Sequence, residues 1–304
     1  METRVLPFSD ESIAEAARLI HAGEPVAVPT ETVYGLAADA TKAEAVARIY
    51  AAKGRPSFNP LIVHVPDLEA AEQLGEFNDE ALSLARKHWP GPLTLVVPLR
   101  ENSGIASIVT AGLASVGLRA PDHPAMQALL RASARPLAAP SANASGSISP
   151  TRAAHVVKSL GGRIPLIIDA GATARGIEST IVGATGGPLR LLRRGPIEVD
   201  ASPASGSTIE APGQLASHYA PSKPLRLEAL SAESDEFLIG FGGIEGDAIL
   251  SRSGDLVEAA GRLFDLLHEA DESAKSRIAV APLPSDGIGA AINDRLQRAA
   301  ANRQ

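Results

Sequence analysis

Lys53 and Arg55 stand on either side of Gly54, with Pro56 and Asn59 close behind. Two cations on a loop stiffened by Gly and Pro can clamp phosphate oxygens, lysine as a point charge and arginine as a two-pronged fork. Cations at the end of a helix also complement its dipole, so the motif carries a structural reading as well. A second group is Pro29-Thr-Glu-Thr-Val-Tyr-Gly35, polar side chains leaving a short strand and bounded by a Pro and a Gly that end the regular structure. Strand exits are where α/β proteins place ligands. A solvated turn held by local side-chain–backbone bonds accounts for it equally. The third group is Ala139-Pro-Ser-Ala-Asn-Ala-Ser-Gly146, with Ser149 beyond. Its small side chains leave backbone N–H groups open to anions, and a helix starting at Pro150 adds a positive dipole end. A polar connection with a good N-cap explains it too. The fourth comprises Arg119, Ser179-Thr180 and Leu-Leu-Arg-Arg-Gly195. Together these cations and small polar loops indicate an anionic ligand that carries phosphates. His64, alone in an apolar run, reads as a satisfied core residue.

Other chemistries are missing. No G-x-x-x-x-G-K-[ST], H-E-x-x-H or G-x-S-x-G occurs, which excludes a P-loop, a zincin helix and a nucleophile elbow. The seven histidines are dispersed without metal spacing, and there is no cysteine. Gly240, Gly242, Gly243 and Gly246 miss the dinucleotide fingerprint by one residue and read as a turn. The net charge of −7 argues against a surface that grips nucleic acid through its phosphates. With 3% aromatic residues there is little to stack bases on. No apolar run approaches the ~18 residues of a membrane span. The N-terminus lacks a secretory pattern, so a cytoplasmic protein is expected.

The elements that must position these residues follow from periodicity. At 304 residues the chain is long enough for about two domains. Helical spacing runs over 11–22, 67–76 and 79–88. Thr41-Lys-Ala-Glu44 has the capping-box pattern and opens a helix to about Ala52. Ser149-Pro150 reads as an N-cap with Pro at the first position of a helix to Leu160. Strand-like runs lie at 25–28, 61–65, 93–99, 116–118, 137–139, 165–168, 179–182 and 189–192. Interleaved strands and helices indicate an α/β unit, and the late consecutive strands indicate a mixed sheet. Residues 200–224, rich in Pro, Gly and Ser, read as a linker. Strands at 225–229, 237–241, 247–250 and 278–281 with helices at 255–270 and 288–301 form a smaller α/β unit. The expected division is 1–200, 201–224 and 225–304.

These residues resemble a known family. PTETVYGL at 29–36, K-G-R-P at 53–56 with N-P-L at 59–61, and P-S-A-N at 140–143 with S-G at 145–146 match the YrdC-domain signature, Lys-x-Arg … Ser-x-Asn. APGQLASHYAP at 211–221 is similar to the linker of the long form, with Ala211 in place of Ser. The chain is identified as a member of the long-form threonylcarbamoyl-AMP synthase family. That resemblance implies a twisted mixed sheet with flanking helices and a small Rossmann-like C-terminal unit. It implies condensation of L-threonine, bicarbonate and ATP, with Mg²⁺, to threonylcarbamoyl-adenylate and pyrophosphate. Separate proteins would then transfer the group to adenosine 37 of tRNA, with at most weak direct contact to tRNA.

Carried over by position, Thr32, His64, Arg119, Ala139 and Ser179 would hold threonine, Arg119 through its carboxylate and Ala139 through its backbone. Arg55, Asn59, Ser115, Ser141, Ser149 and Arg193 would hold the nucleotide. Lys53 and Arg55 would neutralise phosphates, and Tyr219 would reach back over the site. Arg194 stands where the family has proline, so Arg193 and Arg194 both remain candidates for the nucleotide contact. Two competing readings are a non-catalytic RNA-binding module and a carbamoyl-adenylate enzyme. The charge opposes the first, and the lack of cysteine for a zinc finger opposes the second.

Overall fold

The structure is a computed structural model describing residues 2–204, 209–213 and 218–301. The first unit runs β1 (Arg4–Pro7), α1 (Asp10–His21), β2 (Val26–Pro29), β3 (Tyr34–Asp39), α2 (Ala43–Lys53) and β4 (Ile62–His64). It continues α3 (Leu68–Glu72), α4 (Asp79–His88), β5 (Leu93–Pro98), α5 (Ser107–Thr110), β6 (Ser115–Arg119), α6 (Pro124–Ser133) and β7 (Leu137–Ala138). It closes with α7 (Ala153–Leu160), β8 (Leu166–Asp169), β9 (Thr180–Gly183), β10 (Arg190–Arg193) and β11 (Ser202–Pro203). These strands form one sheet in the order β1-β8-β2-β3-β7-β4-β6-β5-β9-β10-β11. The sheet is mixed: β2/β3 and β9/β10 are antiparallel, β4/β6 and β5/β9 parallel.

The small unit comprises β12 (Leu225–Arg226), β13 (Glu236–Gly240), β14 (Ala248–Ile249), α8 (Leu256–Glu272), β15 (Arg277–Val280) and α9 (Ile288–Ala300). Its four strands are all parallel, in the order β12-β15-β13-β14. The central strands β2 to β5 are mostly apolar and buried on both faces, with Asp39, His64 and Thr94 as buried exceptions. Alanines such as Ala16, Ala38, Ala81 and Ala138 sit fully buried among larger residues and let helices approach the sheet closely.

Several expectations need correction. Thr41 does not cap α2. Both its N–H and its hydroxyl donate to the Asp39 carboxylate, and the cap position falls on Lys42 with no side-chain bond. Ser149 does not cap α7 either. Its hydroxyl donates to Glu178, a charged acceptor, and the helix begins three residues past Pro150. A helix end at Pro150 is therefore not available to an anion. The 29–35 motif is not an end of regular structure, because Gly35 lies inside β3. The helix over 67–76 stops at Glu72. The 200–224 stretch contributes β11 to the large sheet; its residues 205–208 and 214–217, including part of the APGQLASHYAP motif, lie outside the described residues.

Candidate active site

The β2–β3 connection folds through its own threonines. The Thr30 hydroxyl donates to the Val33 carbonyl and accepts from the N–H groups of Thr32 and Val33. The solvated-turn reading is thus half right: the local bonds are present, yet Thr30 and Thr32 are buried. That geometry leaves Thr32 beside Arg119. The parallel register of β4 and β6 sets His64 opposite Arg119. Downstream, Gly195 lets the exit of β10 press onto β9, since a Cβ there would meet the Thr180 nitrogen at 2.3 Å. Arg193 then reaches Ser179, donating from Nε to its carbonyl at 3.0 Å and from Nη2 to its hydroxyl at 3.1 Å. Gly54 closes α2 in the left-handed conformation and turns the chain so that Arg55 points inward.

These elements enclose a narrow, partly covered cleft. Thr32, Arg55, His64, Arg119, Ala139, Ser141, Ser179, Arg193 and Tyr219 all line it. Ser115 lines an adjoining recess that shares Ile62 and Pro212 with the cleft. Lys53, Asn59 and Ser149 stand behind the walls. The Lys53 ammonium donates to the carbonyls of Ser141 and Asn143 and so pins the 139–146 loop. Burial, and next to it the charge of Arg55, hold that lysine well below its ordinary pKa. The Asn59 carbonyl accepts from Tyr50 and from Arg55 Nε. The Ala139 N–H is spent on the Ile62 carbonyl. Of the two neighbouring arginines, Arg193 is the buried one in the cleft, and Arg194 is exposed against a separate groove.

Charge in the cleft is lopsided. Arg119 pairs with Glu31 at 2.6 Å and donates to Thr32 at 3.1 Å. Arg55 donates to the carbonyls of Asn59 and Pro60 and interacts with the Tyr50 hydroxyl, and Arg193 donates to Ser179. Among the described residues neither has a carboxylate within ion-pair distance. Burial lowers both guanidiniums, Arg55 to about 10. A buried cation without a counter-charge is costly, and an arriving anion removes that cost. Buried polar atoms without partners point the same way: His64 Nδ1, His218 Nδ1 and the Tyr219 hydroxyl all belong to residues lining the cleft. His64 is therefore not the satisfied core histidine expected of its apolar run.

Burial, reinforced by Arg119, holds the His64 imidazole down at about 3; His218, also buried, lies at about 3, and His268 at about 4. Each binds a proton more readily when unfolded, so the unfolded state gains protons first as pH falls below about 6.5. Stability is expected to decline from there toward pH 4. Urea midpoints at about pH 7.5 and about pH 5 check this, and an equal or higher midpoint at the lower pH contradicts it.

Sequence reasoning gave Glu31 no role of its own within the 29–35 motif and passed over Glu178 and Arg295. Arg295 did leave a signal. On α9 it shares the apolar stripe of Ala291, Ile292, Leu296 and Ala299, and an arginine in such a stripe must find a buried partner.

Comparison with known proteins follows this geometry. A family model described as telomere recombination, the Sua5/YciO/YrdC domain, matches residues 18–195. A second, described as the threonylcarbamoyl-AMP synthase C-terminal domain, matches 173–301. The chain belongs to the threonylcarbamoyl-AMP synthase family. It is 40% identical to a threonylcarbamoyl-AMP synthase of Bacillus subtilis, over 99% of this chain and 96% of that protein. It is 39% identical to one of Pyrococcus abyssi over 95% and 94%. The crystal structure of P. abyssi Sua5 complexed with L-threonine superposes with a TM-score of 0.90 at 35% identity, covering 99% of this chain and 98% of that one. Among the described residues no helix is long and apolar enough to cross a membrane.

Proposed function

We propose that this chain condenses L-threonine, bicarbonate and ATP into threonylcarbamoyl-adenylate and pyrophosphate, a nucleotidyl transfer. The observation that carries the reading is the pair of buried guanidiniums, Arg55 and Arg193, which form no ion pair among the described residues, in the cleft that also holds Arg119. Threonine would place its carboxylate on Arg119 and its side chain near Thr32, His64 and Ser179. Its amine, once deprotonated, captures CO₂ and becomes an N-carboxylate. A carboxylate oxygen then attacks the α-phosphorus of ATP, the bond to the β-phosphate oxygen breaks, and pyrophosphate departs. Two anions must meet, so fixed positive charge at Arg55 and Arg193 brings them together and stabilises the leaving group. Lys53 would act through the 139–146 loop that it pins, with Ser141 turned to the nucleotide. Asn59, Ser115 and Ser149 complete that end from behind the walls and from the adjoining recess. Tyr219 covers the cleft, and a covered cleft keeps water from a hydrolysable product.

Mg²⁺ in this reading arrives with the nucleotide as part of the substrate. Among the described residues no cluster of His, Asp or Glu side chains could hold a metal, and Glu178, the single lining carboxylate, is engaged by Arg295 and Ser149. In this reading residues 1–200 would be the catalytic unit, the described part of 201–224, Tyr219 included, its cover, and 225–304 a smaller unit. The product suits transfer to adenosine 37 of tRNA by separate proteins in the cytoplasm. The test is an assay of ATP-to-pyrophosphate conversion with each co-substrate omitted in turn. Pyrophosphate is expected only when threonine and bicarbonate are both present. Release that ignores either one overturns the reading.

A further inference from the structure

Glu178 is the one carboxylate among the residues lining a cleft that gathers three arginines. Left as a free anion it would repel a triphosphate. It is not free. Arg295, on α9 of the small unit, donates from Nε to Glu178 Oε2 at 3.0 Å, and the Ser149 hydroxyl donates to Oε1. Arg295 is fully buried, 117 residues away in sequence, and crosses between the two units to make this contact. Its guanidinium also lies over the ring of Tyr219, 5.4 Å from the centroid. Among the described residues the Tyr219 hydroxyl has no partner, and its backbone sits at a φ of 62°, a left-handed conformation that a non-glycine residue holds only when its surroundings fix it. One backbone bond ties the same segment to the same helix, from the His218 N–H to the Arg298 carbonyl.

We infer that Arg295 is a positioning residue for the nucleotide: it cancels the charge of Glu178 and seats Tyr219, so that the small unit completes the electrostatics of a cleft built by the large one. Asp294, also on α9, contacts Arg295 Nη1 at 3.1 Å, but it is itself shared with Arg298 and is partly exposed. Burial acting on Glu178 would favour its neutral form; Arg295 first, then Arg193 and the hydrogen bond from Ser149, together outweigh it, so the carboxyl stays ionised and needs its counter-charge. The neutralisation matters for a polyanion and little for threonine, a zwitterion of zero net charge.

This rests on the proposed function for the identity of the anion, and the test separates the two. The full chain is titrated with a non-hydrolysable ATP analogue, and KM values for ATP and threonine are measured in parallel. Arg295→Met is expected to weaken analogue binding and raise the ATP KM by roughly tenfold or more, as an uncompensated charge at short range would do, while the threonine KM moves far less. Adding Glu178→Gln to Arg295→Met is expected to restore analogue affinity, because the repelling charge is gone. A bond that merely bridges the two units would not be rescued this way. Glu178→Gln alone keeps the shape of the site and is expected to leave analogue affinity unchanged or improved, which serves as the readout if Arg295→Met fails to fold. Weaker binding in Glu178→Gln, or no rescue in the double variant, overturns the inference. Absent threonine-dependent turnover in the unaltered chain would instead overturn the proposed function, with the analogue titration still deciding the role of Arg295.

Discussion

Arg55→Ala and Arg193→Ala are each expected to cut threonine-dependent pyrophosphate release by about 10²–10³-fold, the usual cost of removing a fixed charge aimed at a developing oxyanion. The size follows from how the two side chains are held. Their guanidiniums donate to carbonyls and to the Ser179 hydroxyl, and among the described residues neither forms an ion pair with a carboxylate. They also stand close enough to oppose one another's protonation. Removing either leaves no buried anion stranded, so melting temperature should fall much less than activity does. Single-turnover pyrophosphate release, with thermal melts of each variant, checks both halves. Wild-type rates in either variant would remove that arginine from the reaction.

Arg119→Ala should behave differently. It is expected to raise the threonine KM by at least about 100-fold, since a bidentate carboxylate partner is lost. It should also cost about 3–5 kcal/mol of stability, because Glu31 would be left buried and unpaired. Glu31 already has one oxygen without a partner. Steady-state kinetics and denaturant unfolding separate the two effects. A large loss of stability with an unchanged threonine KM would make the Arg119–Glu31 pair structural only.

The residues that face the cleft were largely legible because they sit in short ordered motifs. Thr32, Arg55, Arg119, Ser141, Ser179 and Arg193 come from segments far apart in the chain, each in a loop or strand end that its own composition marked, whereas His64 was placed only by the family resemblance. Their backbone settings were less legible. Thr41 and Ser149 both carry cap signatures, and in both cases a buried or nearby carboxylate, Asp39 or Glu178, draws the hydroxyl away. For Ser149 the acceptor arrives from elsewhere in the fold, where a local pattern cannot register it; for Thr41 it lies two residues upstream and competes locally with the cap. Lys53 shows the same limit: its type and spacing suggest a phosphate contact, while its ammonium is held by two carbonyls near residue 142. The strand β3 goes unseen in the sequence because Pro29 and Gly35 mark the 29–35 motif as an end of regular structure, yet Gly35 lies inside the strand, in contact distance of Ala139. The contact between Arg295 and Glu178 joins two units and left only one trace, a charge on an apolar helix stripe.

The most direct measurement is a crystal structure of the chain with L-threonine and a non-hydrolysable ATP analogue bound together. The threonine carboxylate should lie within hydrogen-bond distance of Arg119, and the phosphates should lie against Arg55 and Arg193 beneath Tyr219. Ligands seated elsewhere, or phosphates that leave both of those guanidiniums untouched, would contradict the account.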